Sequence, residues 1–482
     1  MQHPYKYIKY ILILGASAIL IKVWTDNRSL FLDELNLALN VAEIGQISGF
    51  FQPLDYGQYA PPFFLIFTKA LVSLLGLHEM VLRVFPLFSA ITCIIFFSRW
   101  ISRYCLAERY LLVFSLFGFS FLIMQHGTEF KPYALDTCLA VVMMYFSSRA
   151  QQLDKRRIIL WTLAGAFVVW LSMPSVFILT GVGLYFLSIH YNQSQKLIGI
   201  LIMIGVWLIS FGVYVHELIY DAARSDYLQG YHEAYFMPLP WEKGFSEVSL
   251  TFFRAIVGKT TIPLLMSIIA FIYGIVKLLQ RDAKTALLYI SPIVALMITS
   301  MFGFYSILDR LIFFIIPLFI VIMGIGLEGL SGLFKGKSRI PVAVVFLIVV
   351  GSALNFRSGL HYIKSEFQLE ESRPVLKKMS EQVDGEILVL THDAAPSYKF
   401  YTRYYKNRIL IPSKSTIQLD WDNQIDSVCQ NLIKNEVKTL WIYDAHTFGP
   451  SLDRLQEGIK ICGIIELSLD AQSAKALRIR LE

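Results

Sequence analysis

Long apolar segments separated by short polar loops run through the first 355 residues of the chain. Twelve of them approach the roughly 17–25 residues that a helix needs to cross a membrane. They are residues 8–24, 61–76, 84–101, 110–125, 133–148, 158–173, 175–190, 197–215, 260–279, 285–303, 311–330 and 340–355. The pattern predicts a polytopic α-helical membrane protein. Its two segments on either side of Pro174 are expected to be short helices that meet at this proline.

Basic loops predict which segments cross, because cytoplasmic loops of membrane proteins are rich in Lys and Arg. Lys residues before the first segment place the N-terminus in the cytoplasm, and no small-x-small cleavage site follows, so the segment is expected to remain as an anchor. The later basic loops all lie on the cytoplasmic side only if segment 61–76 does not cross the membrane. This segment opens with two prolines and carries Lys69. It is expected to dip into the outer surface or lie along it. About 11 transmembrane helices then remain, with residues 26–83 and the C-terminal region outside; twelve spans would leave the basic cluster Arg99–Arg109 outside.

The pattern changes after residue 356 to short apolar runs that alternate with amphipathic ones. Two buried strands and two helices are predicted at residues 386–391, 437–444, 395–405 and 424–435. Strands alternating with helices indicate a small α/β domain with a parallel sheet. The chain is therefore expected to consist of a membrane domain, residues 1–355, and an extracytoplasmic α/β domain, residues 356–482.

The composition agrees with a membrane protein, since 55% of the 482 residues are hydrophobic and only 16% are charged. The net charge of +7 is what cytoplasmic loops carry, so it gives no indication of nucleic-acid binding. Of five cysteines, Cys93, Cys105 and Cys138 lie in or beside apolar runs, and the set shows no metal-binding spacing. Cys429 and Cys462 could pair if the C-terminal domain lies in an oxidising compartment.

Two adjacent acids, Asp33 and Glu34, follow the first apolar segment in the stretch DNRSLFLDELNLALN, residues 26–40. Apolar residues recur at helical spacing after Ser29 and predict an amphipathic helix on the membrane surface, with both acids in its first turn. Solvated acids that favour the helix N-terminus are one interpretation, and a catalytic carboxylate is the other. Adjacent side chains on a helix diverge by about 100°, so the two acids are expected to serve different partners.

Other outer segments carry side chains suited to a sugar phosphate. QYAPPFF, residues 58–64, either turns the chain into the membrane surface or forms one wall of a cleft that faces Asp33. TEFKPYALD, residues 128–136, places charged and aromatic residues where a helix enters lipid, which is costly unless they are paired or used. The candidate binding residues are Tyr59, Lys69, Glu129, Lys131, Tyr133, Asp136 and Arg310. The candidate metal ligands are Glu34, Glu129 and His232, although a loop histidine is more often simply solvated.

The order of these motifs resembles that of the C-type (GT-C) membrane glycosyltransferases, in particular the protein O-mannosyltransferase and aminoarabinose lipid A transferase branch. The ordered set consists of LDELNLALN, APPFF, the E-x-x-x-R motif from Glu79 to Arg83, and TEFKPYALD. Lys131 stands where many relatives carry Arg, and both side chains are cationic. The resemblance covers most of residues 1–355 and is less informative for the C-terminal domain.

The resemblance implies transfer of a sugar from a polyprenyl-phosphate donor to a lipid, polysaccharide or protein acceptor, with inversion. The reaction would take place among membrane lipids at the periplasmic face of a bacterial inner membrane. Asp33 would be the catalytic base with Glu34 supporting it, and Lys131, Arg310 or a divalent metal ion would stabilise the departing phosphate. The alternatives are a lipid-linked oligosaccharide polymerase or ligase and a secondary transporter, although no internal repeat of the transporter kind is evident.

Overall fold

The computed structural model describes residues 3–105, 107–150, 152–220, 226–333, 359–364, 367–420, 425–446 and 449–482. Within these ranges the chain is helical up to residue 333, and a small domain of strands and helices begins near residue 372. The predicted segment 340–355 and the predicted domain boundary after residue 355 lie outside the described residues.

The helices of the membrane domain account for most of the described chain. They are α1 (His3–Thr25), α2 (Leu32–Glu43), α3 (Pro62–Leu75), α4 (Glu79–Leu82), α5 (Val84–Ile101), α6 (Ala107–Gly118), α7 (Phe121–His126), α8 (Tyr133–Ser147), α9 (Lys155–Val168), α10 (Ser175–His190), α11 (Ser194–Tyr214), α12 (Asp226–Glu233), α13 (Phe245–Val257), α14 (Thr261–Arg281), α15 (Ala283–Met301) and α16 (Ile316–Leu333).

Five helices among the described residues are long and apolar enough to cross a membrane. They are Tyr7–Thr25 in α1, α5, Ser194–Ile219 in α11 and the turn after it, α14, and α15. Shorter apolar helices are found at Pro62–Leu75, Tyr133–Ser147, Ser175–His190 and Phe313–Gly329. These helices confirm a multi-pass membrane protein, while the number of spans and the orientation of the termini stay predictions. The predicted segment 110–125 is divided between α6 and α7.

Close helix packing in the membrane domain depends on glycine. At Gly326 of α16 a Cβ would lie 1.8 Å from the carbonyl oxygen of Ala270 in α14, and at Gly274 a Cβ would lie 2.0 Å from that of Ile322. The two backbones therefore approach more closely than any larger residue allows. Without water between helices, such contacts are a main source of association in lipid. The predicted break at Pro174 is also confirmed, since α9 and α10 are separate helices and Pro174 immediately precedes α10.

The C-terminal domain is built on a mixed five-stranded sheet. Its strands are β1 (Ile387–Leu390), β2 (Ser415–Gln418), β3 (Thr439–Ala445), β4 (Gly463–Ala471) and β5 (Ala474–Leu481), in the order β2-β1-β3-β5-β4. The first three are parallel, as predicted, whereas β5 is antiparallel to both of its neighbours. Helices α17 (Ser372–Ser380), α18 (Ala395–Lys399), α19 (Ile425–Lys434) and α20 (Gly449–Cys462) complete the domain.

A disulfide between Cys429 and Cys462 ties α19 to the end of α20, with the two Cα atoms 5.3 Å apart. Cys93, Cys105 and Cys138 are buried, as expected of cysteines in apolar segments. The pairing that the sequence left open is therefore present. It fits a domain that folds in an oxidising compartment.

Helix α2 forms where the amphipathic pattern predicts it, but its predicted position on lipid is wrong. Leu35, Leu37 and Leu39 are fully buried by protein, in the same apolar cluster as Tyr401 and Trp441 of the C-terminal domain. A face that rested on lipid would be exposed in the protein alone. An amphipathic pattern shows only that one side of a helix is covered, and here the C-terminal domain covers it.

Helix α3 keeps the exposed apolar surface that a membrane-surface helix needs. It begins at Pro62, where the missing N–H costs no hydrogen bond, and ends at Gly76, which has a φ of +90°. Phe67, Leu74 and Leu75 are exposed. The predicted position of this segment at the outer surface remains a prediction that its exposed residues support.

Candidate active site

The carboxylate of Glu34 lies between two guanidinium groups. Its Oε2 accepts hydrogen bonds from Nη1 of Arg28 at 2.6 Å and Nη2 of Arg83 at 2.8 Å, and its Oε1 accepts one from Nε of Arg83 at 2.9 Å. The backbone N–H groups of Phe31 and Phe130 complete the set, at 3.0 and 2.7 Å. Glu34 is 0% exposed. It therefore joins α2 to α4 and to the loop before α8.

This arrangement fixes the charge of Glu34. Burial alone would raise its pKa, but the charges and hydrogen bonds of Arg28 and Arg83 outweigh burial and hold the pKa below the usual carboxyl range. Both oxygens are filled by protein donors and face positive charge. Its geometry is that of a residue that positions α2, and metal binding by Glu34 stays an untested prediction that this geometry does not favour.

Asp33, one residue earlier, points elsewhere. Its Oδ2 lies 3.3 Å from Nη1 of Arg310, and these two side chains are 31% and 30% exposed. Arg310 also donates to the hydroxyl of Tyr231 at 3.0 Å. The expectation that the adjacent acids serve different partners is thus confirmed. Asp33 keeps an accessible carboxylate at the start of α2.

Lys131 adds a second cation to this region. Its ammonium donates to Oε1 of Gln58 at 2.6 Å, which brings TEFKPYALD against QYAPPFF. Burial lowers the pKa of Lys131, and the nearby charges of Asp33 and Glu129 partly oppose that shift. Gln58 was not predicted from the sequence, where an amide in a proline-rich loop gives no chemical signal. Lys131 and Arg310 both lie within electrostatic range of Asp33.

The remaining residues of TEFKPYALD surround this centre. Glu129 bonds through Oε2 to Nδ1 of His126 at 2.7 Å, and the His126 ring packs edge-on against Tyr133 with centroids 5.3 Å apart. His126 was missed because it ends α7 rather than opening α8; its spacing of three residues from Glu129 was the available signal. Asp136 is buried, and its Oδ1 has no hydrogen-bond partner among the described residues.

Tyr59 follows Gln58, the hydrogen-bond partner of Lys131, along the chain. Its hydroxyl is buried with no partner in the described part of the chain, and its ring packs edge-on against Tyr214. A buried hydroxyl of this kind is available to a ligand that enters the site. The structure thus leaves Tyr59 a candidate for binding.

Lys69 and His232 each have a partner within the protein, and their roles in binding stay predictions. Lys69 donates to the carbonyl oxygen of Val41 at 2.6 Å and caps the far end of α2, roughly 12 Å along the helix from Asp33. His232 bonds through Nδ1 to Ser306 at 2.9 Å and lies near Arg310. Within the described ranges, no group of three or more His, Cys, Asp or Glu side chains is placed to hold a metal ion.

A site with one accessible carboxylate, Asp33, and two nearby cations, Arg310 and Lys131, has the charges needed to bind a phosphate group. No protein-family model and no curated protein matches the sequence. Solved structures do match, and two are crystal structures of ArnT from Cupriavidus metallidurans. The one bound to undecaprenyl phosphate is 14% identical, with a TM-score of 0.54, and the apo structure is 13% identical, with a TM-score of 0.53.

Each of these alignments covers 97% of both chains, so the likeness extends through the C-terminal domain. An oligosaccharyltransferase from Archaeoglobus fulgidus, crystallised with Zn and sulfate, is 11% identical over 90% of this chain and 68% of its own, with a TM-score of 0.48. The chain has the fold of ArnT, and the predicted resemblance to the GT-C branch is confirmed at the level of the fold.

Proposed function

We propose that this protein is a membrane glycosyltransferase that takes its sugar from a polyprenyl-phosphate donor. The observation that carries the proposal is the accessible Asp33 carboxylate beside Arg310 and Lys131, on a fold shared with an ArnT structure that binds undecaprenyl phosphate. The sugar passes to a lipid, polysaccharide or protein acceptor at the outer face of a bacterial inner membrane. The Cys429–Cys462 disulfide supports a periplasmic C-terminal domain.

The chemistry follows from the charges. The bond between the anomeric carbon and the phosphate oxygen breaks, and Arg310 and Lys131 stabilise the negative charge that develops on the phosphate. Asp33 takes the proton of the acceptor hydroxyl as that oxygen attacks from the opposite side, which inverts the anomeric carbon. The Asp33–Arg310 pair is about one-third exposed and the two groups are 3.3 Å apart, so it is a weak ion pair that Arg310 can exchange for phosphate.

Arg310 and Lys131 could make a metal cofactor unnecessary. Together they supply enough positive charge for a departing phosphate, so we expect transfer to proceed without a divalent ion. Purified protein treated with EDTA should retain its rate. A loss of rate that Mg²⁺ or Mn²⁺ restores would show that a metal takes part.

The test of the function is comparative mass spectrometry of lipopolysaccharide, lipids and outer-face proteins from cells with and without this chain. We expect one glycan modification to disappear without the chain and to return with the wild type, but not with Asp33→Asn. Asp55→Asn is the matched control, since Asp55 is an exposed acid in the same outer loop. Restoration by Asp33→Asn at equal membrane abundance would refute the base assignment.

The alternatives make different predictions. A secondary transporter would move its solute into proteoliposomes without forming a glycosidic bond. A polymerase or ligase would extend or transfer a lipid-linked oligosaccharide, so the change would appear as a ladder of glycan lengths. A single added sugar in the mass spectra favours the proposed transferase over both.

A further inference from the structure

We propose that the C-terminal domain positions the catalytic carboxylate. Arg373, Glu371 and Tyr401 hold residues 27–31 in place, and this segment leads directly into the turn of α2 that carries Asp33. The inference rests on the proposed function, because it needs Asp33 to be the base. It makes the outer domain a required part of the transfer site rather than a separate module.

The C-terminal domain binds the backbone before α2 at several points. Glu371 accepts hydrogen bonds from the backbone N–H of Ser29 at 3.3 Å and from its hydroxyl at 3.0 Å. Arg373 donates its backbone N–H to the Ser29 hydroxyl at 3.2 Å and a guanidinium N–H to the carbonyl of Asn27. The Tyr401 hydroxyl accepts from the N–H of Leu30 at 3.0 Å. Three residues of this segment, Asn27, Ser29 and Leu30, are thus bound to the C-terminal domain.

Glu79 connects these contacts to the membrane domain. Its buried Oε1 accepts from Nη1 of Arg373 at 2.7 Å and from the hydroxyl of Tyr401 at 3.1 Å. One turn later on the same segment, Arg83 binds Glu34 and also donates to the carbonyl of Ser29 at 3.0 Å. The chain before α2 is therefore held by Arg83 from the membrane domain and by Arg373 from the outer domain.

The network is sensitive to the loss of a single partner because it is buried. Glu79 is 0% exposed, so removing Arg373 leaves a carboxylate without its cation inside the protein. The segment would be expected to shift to relieve that charge, and Asp33 would move with it. A displacement of about 1 Å at a reacting group can lower a rate on the order of a hundredfold. Loss of rate with little loss of donor binding is the expected signature.

The kinetic test compares Arg373→Ala and Arg373→Lys in full-length protein. We expect kcat to fall about a hundredfold in the alanine variant with little change in the donor KM, and lysine to restore part of it. Arg403→Ala is the matched control, since Arg403 is an exposed cation of the same domain. In an Asp33→Asn background, Arg373→Ala should lower the residual rate no further. An equal further loss there would overturn the proposal.

A second readout is independent of activity. Hydrogen–deuterium exchange should become faster in residues 28–36 of Arg373→Ala and stay unchanged in the strands of the C-terminal sheet. If residues 28–36 of Arg373→Ala exchanged at the wild-type rate, the proposal would be overturned even if sugar transfer were established. If wild-type protein transferred no sugar at all, the proposed function would fail instead, and the exchange result would still show whether Arg373 orders the segment.

Discussion

Removing the charge of Glu34 should affect the stability of the protein, whereas removing the charge of Asp33 should affect its activity. Glu34→Gln removes the carboxylate that lies between Arg28 and Arg83 and leaves two buried guanidinium groups close to each other. Breaking a buried ion pair from one side costs about 3–5 kcal/mol. Asp33→Asn disrupts one solvent-accessible pair with Arg310, and such pairs are worth about 0–1 kcal/mol. We therefore expect Glu34→Gln to destabilise the protein and Asp33→Asn to abolish transfer while leaving stability nearly unchanged.

The pH dependence has a defined sign. The pKa of Glu34 is lowered by Arg28 and Arg83, so its charge contributes stability that is fully present above the pKa of an unfolded glutamate. That contribution is lost as the pH falls through the lower, folded-state pKa. The difference in stability between wild type and Glu34→Gln should thus be constant from pH 8 to about pH 5 and narrow only in more acidic solution.

The assay is thermal unfolding of detergent-purified protein, followed by the fraction that remains monodisperse on size-exclusion chromatography. Asp33→Asn and Glu34→Gln are compared with wild type at equal concentration and in the same detergent. Equal unfolding temperatures for Glu34→Gln and wild type would refute the buried-charge reasoning. A large loss of stability in Asp33→Asn would refute the claim that this acid is free to act as a base.

Three further changes test other parts of the molecule. Lys131→Gln should raise the Kd for undecaprenyl phosphate about tenfold, roughly 1.4 kcal/mol, because one of the two cations proposed to bind the phosphate is lost; intrinsic fluorescence titration measures it. Cys429→Ala should destabilise the C-terminal domain by about 3–4 kcal/mol, since a long loop is no longer closed, as measured by chemical unfolding. Gly326→Ala should lower the unfolding temperature, because a Cβ there meets the carbonyl of Ala270, whereas Gly205→Ala has open space and should not.

Each of these three predictions has an outcome that would contradict it. Arg403→Gln removes an exposed cation of the C-terminal domain and should leave the lipid Kd unchanged; an equal effect would mean that Lys131 acts only through net charge. Wild-type protein under reducing conditions should behave like Cys429→Ala, and a difference would show that the substitution itself disturbs packing. Equal unfolding temperatures for the two glycine variants would remove the argument from close approach of α14 and α16.

The sequence predicted those elements whose pattern depends only on their own residues. Long apolar runs gave α5, α14 and α15 within a few residues, and the buried runs gave β1 and β3. The hairpin β4–β5 was missed, although Arg478, Ile479, Arg480 and Leu481 alternate as a half-buried strand does. The position of α2 could not be predicted, because amphipathicity does not distinguish a lipid surface from the C-terminal domain that covers this helix.

Only those features of the site that depend on neighbouring residues could be predicted from the sequence. Helical geometry alone separated the partners of Asp33 and Glu34, and the segment TEFKPYALD supplied Lys131. No local pattern shows which acid is buried, since that depends on Arg83, 49 positions away in the chain. Arg373, which lies 346 positions from its partner Asn27, is beyond any pattern read along the sequence.

The contrast between the two acids is itself an argument about how the site works. A catalytic base must keep a lone pair for the acceptor proton, so its carboxylate cannot accept hydrogen bonds at every site. A carboxylate that accepts few hydrogen bonds, however, is held in position only weakly. Placing Glu34 next to Asp33 resolves this conflict, because Glu34 takes the donors and fixes the helix while Asp33 stays accessible. The contacts of Arg373 and Glu371 then fix the other end of the same short segment. Strong binding on both sides of Asp33 and a weak pair at Asp33 itself are what a positioned base requires.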